Sequence, residues 1–225
     1  MRRPPILTSI PTFFRRDAMQ ILHLDSSILG DASASRVLSA AITDELRRDN
    51  PAAVVVHRDL ALEPIPHLDG AIAAGFRSPG VGDFDDATRA EHARSEMLVK
   101  ELLASDVIVV GAPMYNFSVP SQLKAWIDRV AQVGRTFKYT ENGPVGLIEG
   151  KRVIVASTRG GMYSAGPAAI MDFQEAYLSA VFGFLGIVDV RFVRAERLSR
   201  GADARSEAMS AAHASVREAA YPTGL

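Results

Sequence analysis

Residues 112–129 read Ala-Pro-Met-Tyr-Asn-Phe-Ser-Val-Pro-Ser-Gln-Leu-Lys-Ala-Trp-Ile-Asp-Arg, and they carry the chain's densest set of ligand-gripping groups. Within four positions, Met114, Tyr115, Asn116 and Phe117 present a thioether, two aromatic rings and an amide. That mixture suits a flat, partly polar heterocycle better than it suits water. The cluster follows the apolar run 107–111 and precedes an amphipathic segment opened by Pro120 and Ser121, so it reads as a loop between a buried strand and a helix. In open α/β sheets ligands bind at such carboxyl strand ends, where the next helix turns free amide groups toward anions.

Two other segments offer matching chemistry. Residues 26–35 place Ser26, Ser27, Ser33 and Ser35 just before a helical pattern. Hydroxyls and free amides at a helix start make a phosphate cradle that needs neither lysine nor magnesium. Ser33 reads equally well as an ordinary helix cap. Neither Gly-x-x-x-x-Gly-Lys-Ser/Thr nor, after the first strand, Gly-x-Gly-x-x-Gly occurs, so a ligand with one phosphate fits better than a dinucleotide or a triphosphate. Residues 157–163 contain Thr158, Arg159, Gly160 and Gly161; paired glycines let a ring system approach the backbone, although Gly-Gly is also common turn chemistry. Asn116 donates and accepts at once, as the uracil-like edge of a flavin requires. Tyr115 and Phe117 would serve equally as core plugs.

The elements that must position these loops alternate along the chain. Strand patterns fall at 20–25, 53–57, 106–111, 152–157 and 188–195, and helix patterns at 33–48, 88–104, 120–133, 168–185 and 202–219. Residues 60–86 read as a long Pro- and Gly-rich loop, functional or mobile. Residues 137–144 read as a small hairpin. Five strands joined by helical crossovers predict an α/β fold, a doubly wound five-stranded parallel sheet with helices on both faces, and a single domain over 19–225.

Composition narrows the function. At 225 residues and 48% hydrophobic content the chain can bury a sizeable core, and a net charge of −1 gives no field favouring nucleic acid or an anionic membrane. No apolar stretch approaches the roughly 18 residues that suggest a membrane span. Cysteine is absent, which removes disulfides, thiolate nucleophiles and cysteine-ligated metals and agrees with a cytoplasmic setting. No metal site is expected, and His23, inside the first strand, reads as a packed core residue. Residues 1–18, rich in Arg and Pro, read as a disordered extension with Met19 as a second possible start; an organelle transit peptide is the competing reading, weakened by the prolines.

From Met19 onward the chain resembles the FMN-dependent NADH:quinone oxidoreductases known as azoreductases, which have a flavodoxin-like fold. The resemblance rests on 112–117, Gln122-Leu123-Lys124, residues 136–144, Arg159-Gly160-Gly161, residues 26–29 and the pair Asp59-Leu60. It implies the sheet order 2-1-3-4-5 and a bound FMN. Ser27, Ser33, Ala34 and Ser35 would lie at its phosphate end, Ala34 by backbone only. Met114, Tyr115, Asn116 and Phe117 would lie along the isoalloxazine, with Thr158, Arg159, Gly160 and Gly161 as the second wall. It also implies NADH or NADPH as donor, quinones and azo compounds as acceptors, two half-reactions on one flavin, and a homodimer. Phe137 or Tyr139 is expected to help wall the acceptor site of the partner subunit, and Tyr163 is a further candidate for the substrate pocket. No protein residue is expected to be catalytic, because the flavin carries the chemistry. Arg159 and Arg135 are possible selectors of the donor's phosphate. A flavodoxin-type electron carrier and a non-catalytic flavin-binding regulator are rival functions, as is a phosphoacceptor receiver domain, which needs an acidic cluster after the first strand and an Asp ending the third, where Asp25 stands alone and Gly111 ends the strand.

Overall fold

The computed structural model describes residues 18–77 and 82–221, so the expected extension lies outside the described residues except for Ala18. The strands are β1 (Gln20–Asp25), β2 (Val54–Asp59), β3 (Val107–Pro113), β4 (Phe137–Thr140), β5 (Gly143–Gly146), β6 (Arg152–Thr158) and β7 (Asp189–Ala195). The helices are α1 (Ala34–Asp49), α2 (Gly70–Arg77), α3 (Asp86–Ala104), α4 (Ser121–Val130), α5 (Phe173–Leu185) and α6 (Ala202–Ala220). Five strands pair in parallel in the order β2-β1-β3-β6-β7, while β4 and β5 form a separate antiparallel hairpin. With the hairpin set aside, this is the expected order 2-1-3-4-5.

Alternation along the strands divides the core in two. Leu22 and Leu24, Ile108 and Val110, and Val153 and Val155 join one buried cluster with Leu98, Trp126 and Phe182 from α3, α4 and α5. Ile21, Val107, Val109, Ile154 and Val193 join the other, under Leu38, Ile42 and Leu46 of α1 and Ala212 and Val216 of α6. Both faces of the sheet are covered, which is why the central strands read as continuous apolar runs. Among the described residues no helix is long and apolar enough to cross a membrane.

The structure departs from the sequence reading in three places. The 60–86 segment contains α2, started by Asp69, whose Oδ1 accepts the Ile72 amide at 2.8 Å, and anchored by buried Ile72. Its glycines hid it; Gly75 sits where the His92 ring of α3 leaves no room for a Cβ. The helix expected over 168–185 is broken: a 3₁₀ turn covers Pro167–Met171, and Asp172 then caps α5 by accepting the Gln174 and Glu175 amides at 3.1 Å each. The helix expected over 120–133 ends at Val130, because the Thr136 hydroxyl takes the Gln132 amide at 2.9 Å and turns the chain.

Gly111 lies at the middle of the carboxyl edge and has a specific reason to lack a side chain. A Cβ there would stand 2.6 Å from Asp25 Oδ1 and 3.4 Å from the Ser35 carbonyl. Gly111→Ala is expected to destabilise the protein by about 1–3 kcal/mol, as overpacking does; urea unfolding of the two proteins checks this.

Candidate functional site

The carboxyl ends of β1, β3 and β6 release three loops on one edge of the sheet. They surround a cavity of about 260 Å³ lined by Ser27, Ser33, Ala34, Met114, Tyr115, Thr158, Arg159 and Gly160 among others. The segments singled out in the sequence therefore meet. A second cavity of about 450 Å³ shares Tyr115 and adds Asn116, Ser118, Val119, Lys124 and Tyr177.

The first loop is built around the start of α1. Ser33 Oγ accepts the Arg36 amide at 3.3 Å, so it is a cap, and it also lies 3.0 Å from Ser35 Oγ. Both serines are nearly fully buried. The first amides of a helix have no carbonyl partner inside it, so those of Ala34 and Ser35 are suited to an anion. Arg36 anchors the loop from behind: one guanidinium nitrogen donates to the Ser27 carbonyl at 3.0 Å and to Asp59 Oδ1 at 2.8 Å. Asp59 also accepts the Ala61 and Leu62 amides, which explains why Asp59-Leu60 belongs with the loop motifs. Burial pushes the Asp59 carboxyl up, but Arg36 and the two amides outweigh this and hold it below its ordinary value.

The second loop is a tight turn with two left-handed residues. Tyr115 and Ser118 exchange backbone hydrogen bonds at 3.0 and 3.1 Å, and between them Asn116 and Phe117 have φ of 48° and 71°. Asn tolerates this region, but an aromatic residue there costs on the order of 1–2 kcal/mol. Such strain persists where surrounding contacts impose it, and it clusters at ligand clamps. Three contacts impose it here. The Phe117 carbonyl accepts the Phe173 amide at 3.1 Å, and Met114 N–H donates to the Thr158 carbonyl at 2.8 Å. The Tyr115 hydroxyl accepts the Ile28 amide at 3.2 Å, which ties the second loop to the first.

The third loop rests on a buried cation. The Arg159 side chain is fully buried, paired with Asp172 at 3.0 Å, with Glu196 at 3.2 Å and with Glu175. Its Nε donates to Ser157 Oγ at 3.2 Å, and Gln174 continues the network to the Ala112 carbonyl at 3.0 Å. Glu196, directly after β7, also accepts the Tyr163 and Ser164 amides at 2.7 and 2.9 Å, together with the Ser164 hydroxyl. Burial raises the Glu196 carboxyl, but these donors and Arg159 hold it below its usual range. Gly160 packs closely: a Cβ would lie 2.7 Å from Ser199 Oγ, so the hydroxyl would have to turn aside.

The placements refine the sequence reading. Arg159 contributes backbone to the cavity while its charge is spent inside the protein, and Arg135 pairs with Glu96 beside a different cavity near Gly75 and His92; neither guanidinium is free at the mouth. Phe137 is 8% exposed and packs against Phe184, with ring centroids 4.6 Å apart, so its ring is part of the core. Tyr139 is exposed on the hairpin, and the Tyr163 ring meets Phe117 edge-on at 6.1 Å. None of these three lines either cavity. The sequence reading missed Leu198, Ser199 and Arg205, which line the first cavity from the loop after β7 and the first turn of α6. Arg205 is the cation beside the serine end, within 3.5 Å of the Ala32 carbonyl. Their signal was their position after the last strand, on the same edge.

Known proteins are similar to this chain in sequence and fold. A profile of the flavodoxin-like fold family matches residues 19–220. The chain is 80% identical over 200 residues to an FMN-dependent NADH:quinone oxidoreductase of Ralstonia nicotianae, covering 89% of this chain and 96% of that protein. It is 61% identical to an FMN-dependent NADH:quinone oxidoreductase 2 of Xanthomonas axonopodis pv. citri, covering 88% and 92%. Among solved structures, an azoreductase of Bacillus anthracis str. Sterne superposes with a TM-score of 0.83 at 28% identity, covering 91% of this chain and all of that one. An FMN-dependent NADH-azoreductase of Bacillus anthracis str. Ames Ancestor, solved in complex with FMN, gives 0.82 at 25% identity, covering 90% and 97%.

Glu196 offers a test of the third loop. Its carboxyl is held below the ordinary value of 4.5, so its stabilising effect is present above that pH and is lost as the pH falls through the lower folded value. Glu196→Gln is expected to cost about 1–3 kcal/mol at pH 7, with the gap to the native protein closing under acid. Unfolding curves from pH 7 to pH 3 measure this.

Proposed function

This chain belongs to the flavodoxin-like family of FMN-dependent NADH:quinone oxidoreductases, and from that premise we propose that it reduces quinones by two electrons and cleaves aromatic azo bonds, with donor and acceptor using one site in turn. The observation that carries the reading is the meeting of three predicted loops around one cavity, where Ser27, Ser33 and Arg205 are joined by Met114, Tyr115, Thr158 and Gly160, with Asn116 lining the adjacent cavity that shares Tyr115. The residues present fit FMN. A buried serine pair at a helix start suits a single phosphate, and the cradle at Gly160 closes to a Cβ. FMN held by these residues would supply the redox chemistry, hydride uptake from a nicotinamide and two-electron delivery to an acceptor.

The protein's own part is binding, orientation and electrostatics. Ser33, Ser35, the first amides of α1 and Arg205 hold the anionic end. Ser27, with its hydroxyl 3.3 Å from that of Tyr115, sets the spacing between the first two loops. Met114 to Phe117 hold one side of the ring, with Asn116 offering donor and acceptor together. Thr158, Gly160, Gly161 and the Arg159 backbone hold the other. Backbone donors near the ring stabilise negative charge that develops on reduction, as preorganised dipoles do elsewhere. We assign the acceptor to the side where Phe117 and Tyr163 meet, and the working location to the cytoplasm.

We further propose a homodimer that covers the rim of this site. Phe117, Met162, Ile170 and Phe173 are 42%, 46%, 83% and 59% exposed. They lie on segments joined by the Phe173-to-Phe117 hydrogen bond and the Phe117–Tyr163 ring contact. An exposed apolar surface beside the site supports this reading.

Purified protein is expected to be yellow and to oxidise NADH with benzoquinone and with an azo dye, giving parallel double-reciprocal lines when both substrates are varied. Intersecting lines would contradict the shared site, and no turnover would contradict the activity. Arg205→Ala is expected to weaken FMN binding roughly tenfold, with a smaller salt dependence than the native protein shows, read by fluorescence titration. Ile170→Asp is expected to shift the molar mass from dimer to monomer in light scattering.

A further inference from the structure

A cluster of metal-binding type lies apart from the flavin cavity. β1 and β2 run side by side in parallel, with His23 in register with His57 and Asp25 with Asp59. Residues two apart on a strand share a face, so His23, Asp25 and His57 come together although His23 and His57 are 34 positions apart in sequence. His57 Nε2 lies 3.0 Å from Asp25 Oδ2, and His23 Nε2 lies 3.5 Å from the same oxygen. One donor atom from each of the three residues falls within 4.8 Å of the other two. None of the three lines either cavity of the flavin site.

Burial sharpens the case. Asp25 and His23 are 4% and 7% exposed, and the 3.5 Å approach to Asp25 leaves His23 Nε2 buried without a well-formed hydrogen bond. A buried nitrogen left in that state costs free energy unless something else satisfies it. The other Asp25 oxygen is fixed by Ser39 Oγ at 2.8 Å, the kind of support that orients the carboxylate of a metal site. The neighbouring Asp59 is committed to Arg36, so it does not compete for the same place. His57 has 49% of its side chain exposed and opens the cluster to solvent.

Two imidazole nitrogens and one carboxylate oxygen are the ligand set of divalent transition metals, whereas magnesium and calcium favour oxygen alone. Tetrahedral zinc with bonds of about 2.0–2.1 Å separates its ligand atoms by about 3.3 Å, close to the two spacings observed. We propose that His23, Asp25 and His57 form a site for one divalent transition cation, zinc foremost, with its remaining position open to water. A cation there pins the edge strand β2 to β1 and anchors the start of the loop at Ser26 and Ser27.

The test titrates zinc chloride into flavin-loaded protein by calorimetry and follows the melting temperature with and without zinc. Native protein is expected to bind one zinc per chain and to melt at a higher temperature with it. His57→Ala, at a half-exposed position, should fold and lose at least tenfold in affinity together with the thermal shift. His213→Ala, an exposed histidine on α6, should change neither. Ser39→Ala should bind on the order of tenfold more weakly while keeping the same stoichiometry. Absence of one-to-one binding, or equal affinity in His57→Ala and native protein, would overturn the proposal and leave a His-Asp-His hydrogen-bonded cluster only.

Discussion

Every functional feature of this molecule depends on the shared direction of its five sheet strands. In a parallel sheet each crossover helix returns the chain to the same starting edge, so all carboxyl ends emerge together at the other. Residues at 27, 115 and 160 thereby become neighbours. A helix start, a strained turn and a glycine pair then face one cavity without any sequence-local reason to do so. The apolar strands secure this by filling both faces of the sheet.

The edge is held rigid by polar contacts behind and between its loops. Arg36 grips the first loop through the Ser27 carbonyl, and Tyr115 links that loop to the second. The buried Arg159 draws Asp172, Glu175 and Glu196 around itself and so connects the third loop to α5 and to the chain after β7. A buried arginine with its carboxylates adds little net stability compared with apolar packing, yet removing one partner leaves an uncompensated charge. Its contribution here is to fix where three loop ends stand. The left-handed Asn116 and Phe117 are the cost of aiming the second loop, and the Phe173 and Tyr115 hydrogen bonds offset it.

The succession of elements and the ligand-facing edge were legible in the sequence because they rest on periodicity, whereas the sheet order 2-1-3-4-5 came from the resemblance alone. Strand and helix patterns at 20–25, 33–48 and 106–111 reflect burial on known faces, and turn residues mark where those faces end. The Met114 to Phe117 cluster and the serines at 27, 33 and 35 stood out by chemical type alone. What stayed hidden depends on contacts between distant residues. Arg159 looks like a ligand-facing cation until Asp172, Glu175 and Glu196 are placed around it. Phe137 looks like an excursion until Phe184 is beneath it. The break before α5 follows from an Asp172 cap inside an apolar run, α2 was hidden by its own glycines, and Arg205 reaches the cavity from a helix nearly ninety residues beyond the central loop. His23 and His57 are unremarkable in sequence and adjacent in the sheet.

The claim on which the rest stands is that this edge holds a flavin phosphate end and ring in a fixed orientation. A crystal structure of the flavin-loaded protein measures it directly. The account predicts the phosphate within hydrogen-bond distance of the first amides of α1 and near Arg205, and the ring between residues 114–117 and 158–161. A flavin seated instead in the cavity beside Gly75, His92 and Arg135, or reversed so that its phosphate meets Asn116, would contradict it.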